Sequence, residues 1–242
     1  MKVKLFIPCF IDQFFPETAF NTMRVLQKAG CTVEYDPEQT CCGQPAYNAG
    51  LWDEAKKTGQ KFLKDFSADI PVVAPSASCI SMVKEGYNDL FTNTVHHNQC
   101  RSLQSNIFEL SDFLVNVLGV DYFGAELEIK AVYHDSCSAL RSCGIKEEPR
   151  QLLRNVAGFE LIESPDAEVC CGFGGSFSAK FSDISMAMAE QKVHHALELG
   201  AEAIVSTDSS CLLPLQNFIS KQKLPLKTLH IADILAAGWP NI

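Results

Sequence analysis

A chain of 242 residues is long enough for one large or two small domains with cores of their own. Its 29 acidic against 20 basic residues give a net charge of -9, which argues against nucleic acid or an anionic membrane surface as partner, because both need clustered Lys and Arg. No apolar run approaches the roughly 20 residues that span a bilayer, and the run before Pro8 is too short for a signal-peptide core, so a cytoplasmic location with no membrane span is expected.

In chain order, Lys2 to Ile7 predicts a buried strand ending at Pro8-Cys9, whose last residue delivers a thiol. Ala19, Met23, Leu26 and Ala29 recur at helical spacing, which predicts a helix from Thr18 to Ala29 closed by Gly30. A strand from Cys31 to Tyr35, a helix from about Asp53 to Phe66 and a strand from Ile70 to Ala74 follow, leading through Pro75 and Ser76 to Cys79. The second half repeats the plan. Glu128 to Tyr133 is a strand, Pro149 to Val156 a helix closed near Gly158, Phe159 to Ile162 a strand, Ile184 to Leu199 a helix closed by Gly200, and Ala203 to Ser206 a strand. The tails match as well: Ile107 to Leu114 and Leu229 to Leu235 each read as a strand-to-helix junction. The pattern predicts an α/β protein made of two tandem β-α-β-α-β units with parallel strands, residues 1–120 and 121–242.

Two copies of one short stretch organise this plan, Cys41-Cys42-Gly43 and Cys170-Cys171-Gly172. Each has one cysteine upstream and one downstream, giving Cys9, Cys41, Cys42 and Cys79 in the first copy and Cys137, Cys170, Cys171 and Cys211 in the second. The intervening lengths are thirty-one and thirty-six residues, then thirty-two and thirty-nine. In open parallel sheets, sites form beyond the carboxyl ends of the strands, so each half should gather four thiols there. Soft thiolates select iron-sulfur clusters, zinc or copper(I). Adjacent cysteines suit two irons of one cluster better than one ion, and Gly43 and Gly172 allow backbone N–H groups to approach sulfur. Gly172 to Gly175 can also be read as a phosphate nest, but it lacks the Lys and Ser/Thr of a P-loop.

The doubled pattern, with Phe6-Ile-Pro-Cys9-Phe, Cys41-Cys42-Gly-Gln-Pro-Ala-Tyr-Asn48 and Cys170-Cys171-Gly-Phe-Gly-Gly175, resembles the cysteine-rich CCG-domain family over nearly the whole chain. That family includes the B subunit of heterodisulfide reductase and the iron-sulfur subunits of glycolate oxidase and anaerobic glycerol-3-phosphate dehydrogenase. The short two-repeat form is most similar to its lactate-utilisation branch. The resemblance implies a subunit of a three-protein cytoplasmic complex oxidising L-lactate, a small 2-hydroxy acid, to pyruvate. Its implied partners are a ferredoxin-type iron-sulfur subunit and a small third subunit. The chain itself has no C-x-x-C-x-x-C run and no G-x-G-x-x-G, so conventional clusters and dinucleotides belong to partners.

In heterodisulfide reductase each repeat ends in C-x-x-C, whereas this chain has Ser76-Ala-Ser-Cys79 and Asp208-Ser-Ser-Cys211. Four thiols per repeat suit a four-iron cluster, or one with an oxygen ligand from Ser76 or Asp208, and they also suit zinc. Three functions therefore stand side by side: a lactate-oxidising redox subunit, an electron-transfer subunit of the heterodisulfide, glycolate or glycerol-3-phosphate type, and a zinc-bearing scaffold. His134, next to Asp135, is the candidate proton acceptor. Arg141 and Lys180 are candidates for a substrate carboxylate. Cys31, Cys100 and Cys143 have no counterpart in the other copy and read as core or free thiols, and His96-His97 and His194-His195 as surface pairs.

Overall fold

The computed structural model of the protein describes residues 1–240, so the last two residues of the expected second repeat lie outside it. The first half holds strands β1 (Lys2–Leu5), β2 (Thr32–Tyr35), β3 (Val72–Ala74) and β4 (Ile107–Glu109), all parallel, in the spatial order β2-β1-β3-β4. The second half holds β5 (Glu126–Tyr133), β6 (Ala157–Ile162), β7 (Ala203–Ser206) and β8 (Lys227–His230), parallel in the matching order β6-β5-β7-β8. Every residue of β3 and β7 is buried, as expected of inner strands covered on both faces. The strand-to-helix junctions at the tails supply the fourth strand of each sheet.

Helices of the first half are α1 (Cys9–Phe14), α2 (Pro16–Lys28), α3 (Gln44–Asn48), α4 (Trp52–Asp65), α5 (Ala77–Ser81), α6 (Tyr87–Phe91), α7 (His97–Gln104) and α8 (Leu110–Asp112). Those of the second are α9 (Glu147–Arg154), α10 (Ser176–Lys180), α11 (Ser182–Glu198), α12 (Ser209–Gln222) and α13 (Ile231–Leu235). Wider π-helical turns run through Met82–Gly86, Phe113–Val117 and Ser138–Ser142.

Three details differ from the sequence expectation. The first strand ends at Leu5, and Cys9 opens α1 after Pro8, so this thiol is presented by a helix start. Gly158 closes no helix: α9 ends at Arg154, and Gly158 lies inside β6 with φ 79°. Two long segments without a clean apolar period, around α6 to α7 and along α12, are helical. In α12 Pro214 sits inside the helix, which obscures the period.

Each half has a core of its own. Phe6, Phe62, Phe66, Tyr87 and Phe91 anchor the first, and Val193, Ile204, Leu215 and Phe218 the second. A third core belongs to both. It joins Val3, Leu5, Val25 and Leu26 to Phe113, Tyr133, Leu152, Val205, Ile231 and Leu235. The halves are related by an approximate twofold axis. Ser76 and Asp208, each three residues before the last cysteine of its set, pair with one another in an antiparallel bridge, which is what a twofold between equivalent residues requires.

Candidate metal centre

In a parallel sheet of order β2-β1-β3-β4 the chain reverses its direction of winding between β1 and β3, and a crevice opens beyond their carboxyl ends. Cys9 follows β1 and Cys79 follows β3, so these two thiols flank that crevice, and the Cys41-Cys42-Gly43 loop lies over it. Cys137 and Cys211 take the same places after β5 and β7, with Cys170-Cys171-Gly172 above them. Because the halves face each other across the twofold, all eight of these cysteines line one cavity of about 560 Å³.

Within each set the sulfurs form a chain of contacts. Cys9 Sγ lies 3.4 Å from Cys41 Sγ. Cys41 further engages Cys42, and Cys42 engages Cys79. In the second set Cys170 engages Cys137 and Cys171, and Cys171 engages Cys211. Cys42, Cys79, Cys171 and Cys211 are buried, while Cys9 is exposed and Cys41, Cys137 and Cys170 are half-buried at the cavity wall.

The third residue of each motif has to be glycine. Gly43 has φ 85° and Gly172 φ 84°, a region that side chains disfavour. A Cβ on Gly43 would meet the Ala55 carbonyl oxygen of α4 at 3.3 Å, and one on Gly172 the Ser185 carbonyl oxygen of α11 at 2.9 Å. The turn aims each glycine N–H at the first sulfur of its own motif, at 3.4 Å in both copies. Hydrogen bonds from Cys42 and Cys9 hold Cys41 well below the ordinary thiol range, and those from Cys137 and Cys171 do the same for Cys170. The donating thiols Cys9, Cys42, Cys137 and Cys171 are pushed up by the same contacts and by burial. Clustered thiols of this kind, with one sulfur in each set favouring the thiolate form, are donors suited to a soft cation.

His134 is 2 % exposed, and burial is the main cause that lowers its imidazole to about 3. It stands behind Cys171 and Cys211 and is not part of the cavity wall. One ring nitrogen and the two sulfurs lie within 4.8 Å of one another. Asp135 faces the other way, in a two-pronged ion pair with Arg150 at 2.8 and 2.7 Å. Arg141 and Lys180 are exposed and also lie outside the wall. The polar groups that line it include Gln44, Asn48, Ser136, Ser138 and Ser210, none of which was singled out as a site residue from the sequence.

Ser76 and Asp208 both reach the cavity, but Asp208 is already engaged. Its carboxylate accepts from Ser78 N of the first half at 2.8 Å and from Ser210 N at 3.2 Å. Cys31 and Cys100 are buried in the cores, and Cys143 packs under Ala77. His96 and His97 are half-buried, His194 is exposed, and His195 lies 3.0 Å from Asp166.

Two facing open parallel α/β units, each with a CCG loop over its switch point, define the class. The sequence profile of the cysteine-rich CCG domain matches residues 3–84 and 131–216, and the chain belongs to that family. It is 41% identical over 235 residues to Lactate utilization protein A of Halalkalibacterium halodurans, covering 97% of this chain and 96% of that one. It is 40% identical over 237 residues to Lactate utilization protein A of Geobacillus kaustophilus, covering 98% and 99%. Among solved structures, a hypothetical protein from Helicobacter pylori shares the fold with TM-score 0.60 at 12% identity. The match spans 99% of this chain but only 49% of that structure.

Proposed function

We propose that this chain is the iron-sulfur redox subunit of a cytoplasmic lactate-utilisation system, oxidising L-lactate to pyruvate together with a ferredoxin-type iron-sulfur subunit and a small third subunit. The observation that carries the reading is the convergence of all eight patterned thiols on one cavity, in a chain about 40% identical to proteins named for lactate utilisation. The donor sets fit the group: four soft sulfurs per half, with a glycine N–H directed at sulfur. When bound, one four-iron cluster in each half supplies acceptors for single electrons close to the cavity.

Conversion of a 2-hydroxy acid to a 2-oxo acid releases two electrons and two protons, from the C2–H and O–H bonds. Gln44, Asn48, Ser138 and Ser210 offer hydrogen bonds to the carboxylate and hydroxyl of such a molecule, and the backbone of Gly174 and Gly175 adds N–H groups on the same wall. Phe10 of α1 packs edge-on against Phe173 of the second CCG loop, with ring centroids 5.5 Å apart, and joins the two halves at the cavity wall. The cavity volume exceeds the needs of a three-carbon acid, which leaves room for the clusters themselves.

The test is the iron, sulfide and zinc content and the absorption spectrum of protein purified without oxygen. About eight irons and eight sulfides per chain, with a broad band near 400 nm that bleaches on reduction by lactate plus the partner subunits, is the expected result. About two zincs in a colourless protein, reproduced anaerobically, would overturn it in favour of a structural metal scaffold.

A further inference from the structure

The two halves are built on one plan, so a position where they differ in chemistry is informative. Phe6 N–H donates to Val73 O at 2.9 Å, and His134 N–H donates to Val205 O at 2.7 Å, in the matching place of the matching strand pair, each three residues before the first cysteine of its set. Phe6 is fully buried among aromatic rings, 4.9 Å from Phe62 and 5.4 Å from Phe66. The glycine of each CCG motif fixes the register of the helix behind it, at Ala55 in α4 and Ser185 in α11, and Phe62 and Lys192 each lie seven residues further on. An apolar pair in the first half, Phe6 with Phe62, is thus a polar pair in the second, His134 with Lys192.

Lys192 is satisfied there: its Nζ donates to Asp166 O at 2.6 Å. His134 is not. No hydrogen bond of good geometry reaches either buried ring nitrogen, the Ala167 carbonyl standing near the ring without closing one, and a buried group left so loses about 1–3 kcal/mol. An apolar side chain at this place would avoid that cost, and the first half has one. The unpartnered ring nitrogen lies within 4.8 Å of both Cys171 Sγ and Cys211 Sγ. An ion bonded at roughly 2.3 Å to sulfur and 2.0 Å to nitrogen draws such donors to under about 4 Å, a movement within the reach of side-chain rotation.

We infer that His134 is a metal ligand, so that the centre of the second half is held by mixed imidazole and thiolate donors while the centre of the first half is held by thiolates alone. This rests on the reading of the second thiol set as a metal site and adds to it that the two centres are unlike.

The experiment is X-ray absorption at the iron and zinc edges on full-length protein loaded anaerobically with ferrous iron and sulfide, compared among wild type, His134→Phe and His134→Gln. Potentiometric titration followed by EPR accompanies it. The expected result is imidazole scattering in the wild type that disappears in both variants, with circular dichroism unchanged. One of the two reduction steps should shift while the other stays in place, or the metal content should fall by about half as the second site empties. His134→Phe reproduces the residue of the first half and guards against failure to fold. Metal-loaded wild type without imidazole scattering, or spectra and potentials identical in wild type and His134→Phe, overturns the inference and leaves the proposed function standing. Zinc in place of iron overturns the redox reading, while imidazole scattering at the zinc edge still supports the ligand. A chain that binds neither metal overturns both.

Discussion

Cys42 and Cys171 are the pivots of the two thiol chains. Each is buried and touches both its CCG neighbour and the last cysteine of its own half. The contacts stay inside each set: Cys42 engages Cys41 and Cys79, and Cys171 engages Cys170 and Cys211. Removing one pivot should therefore empty one site and spare the other. Cys42→Ser and Cys171→Ser are each expected to lower the iron content of anaerobically purified protein by roughly half, since a hydroxyl is a poor substitute for thiolate toward iron. Complete loss of iron from either single change would show that the two sites load as one unit. The double variant, which should bind none, sets the zero of the assay.

The loop from β5 to Cys137 is held by an ion pair between elements. Asp135 and the Arg150 guanidinium of α9 are almost fully buried, at 1 % and 4 % side-chain exposure, and form two parallel hydrogen bonds. Arg150 also reaches Glu163 just past β6 at 2.7 Å and stacks over the Tyr133 ring at 4.9 Å. Removing one partner leaves the other charge buried and unpaired, at a cost of about 3–5 kcal/mol. Asp135→Ala should lower the unfolding free energy in urea by that order, and Asp135→Leu combined with Arg150→Met should lose much less. Equal losses in the single and double variants would mean that the loop is held by packing instead. This pair was not legible in the sequence, where Asp135 reads only as a neighbour of His134. Alternating apolar runs and helical periods place β1 to β3, β5 to β7, α2, α4 and α11 to within a few residues, because burial of one face fixes the period. The eight patterned cysteines are legible for a different reason: the spacing is duplicated. The unlike pair His134 and Lys192 was also within reach. Setting the two halves in cysteine register places Phe6 against His134, but Phe62 against Lys192 appears only once the helices behind the CCG loops are in register too.

Periodicity says that a face is buried and nothing about what covers it, which is why the shared core of the whole molecule could not be read from the sequence. Leu5 and Val25 of the first half pack with Tyr133, Val205 and Ile231 of the second, so the two repeats form one body around the cavity. The fourth strands close this body in related but unlike ways. His230, at the end of β8, accepts from Ala232 N through Nδ1 and reaches Pro75 O of the other half at 3.1 Å through Nε2. Glu109, at the end of β4, plays the same capping part, accepting from Ser111 N at 2.7 Å and Asp112 N at 3.3 Å, but its second oxygen is buried without a partner. Burial raises the Glu109 carboxyl from 4.5 to about 8, against the opposing pull of its Ser111 bonds. The folded state thus holds this proton more tightly than the unfolded chain. The stability it contributes is complete below pH 4.5 and is lost as the pH rises through about 8. The full swing is at most about 5 kcal/mol at 1.36 kcal/mol per pKa unit. Glu109→Gln keeps an acceptor for Ser111 N and removes the titration. Melting temperatures measured from pH 5 to 9 should fall with pH in the wild type and much less in Glu109→Gln, with the curves diverging between about pH 5 and 8 and holding a constant gap above that. Parallel curves would show that Glu109 enters the folded protein already ionised, with a cation or water at its second oxygen, and that the joint between the halves is insensitive to pH.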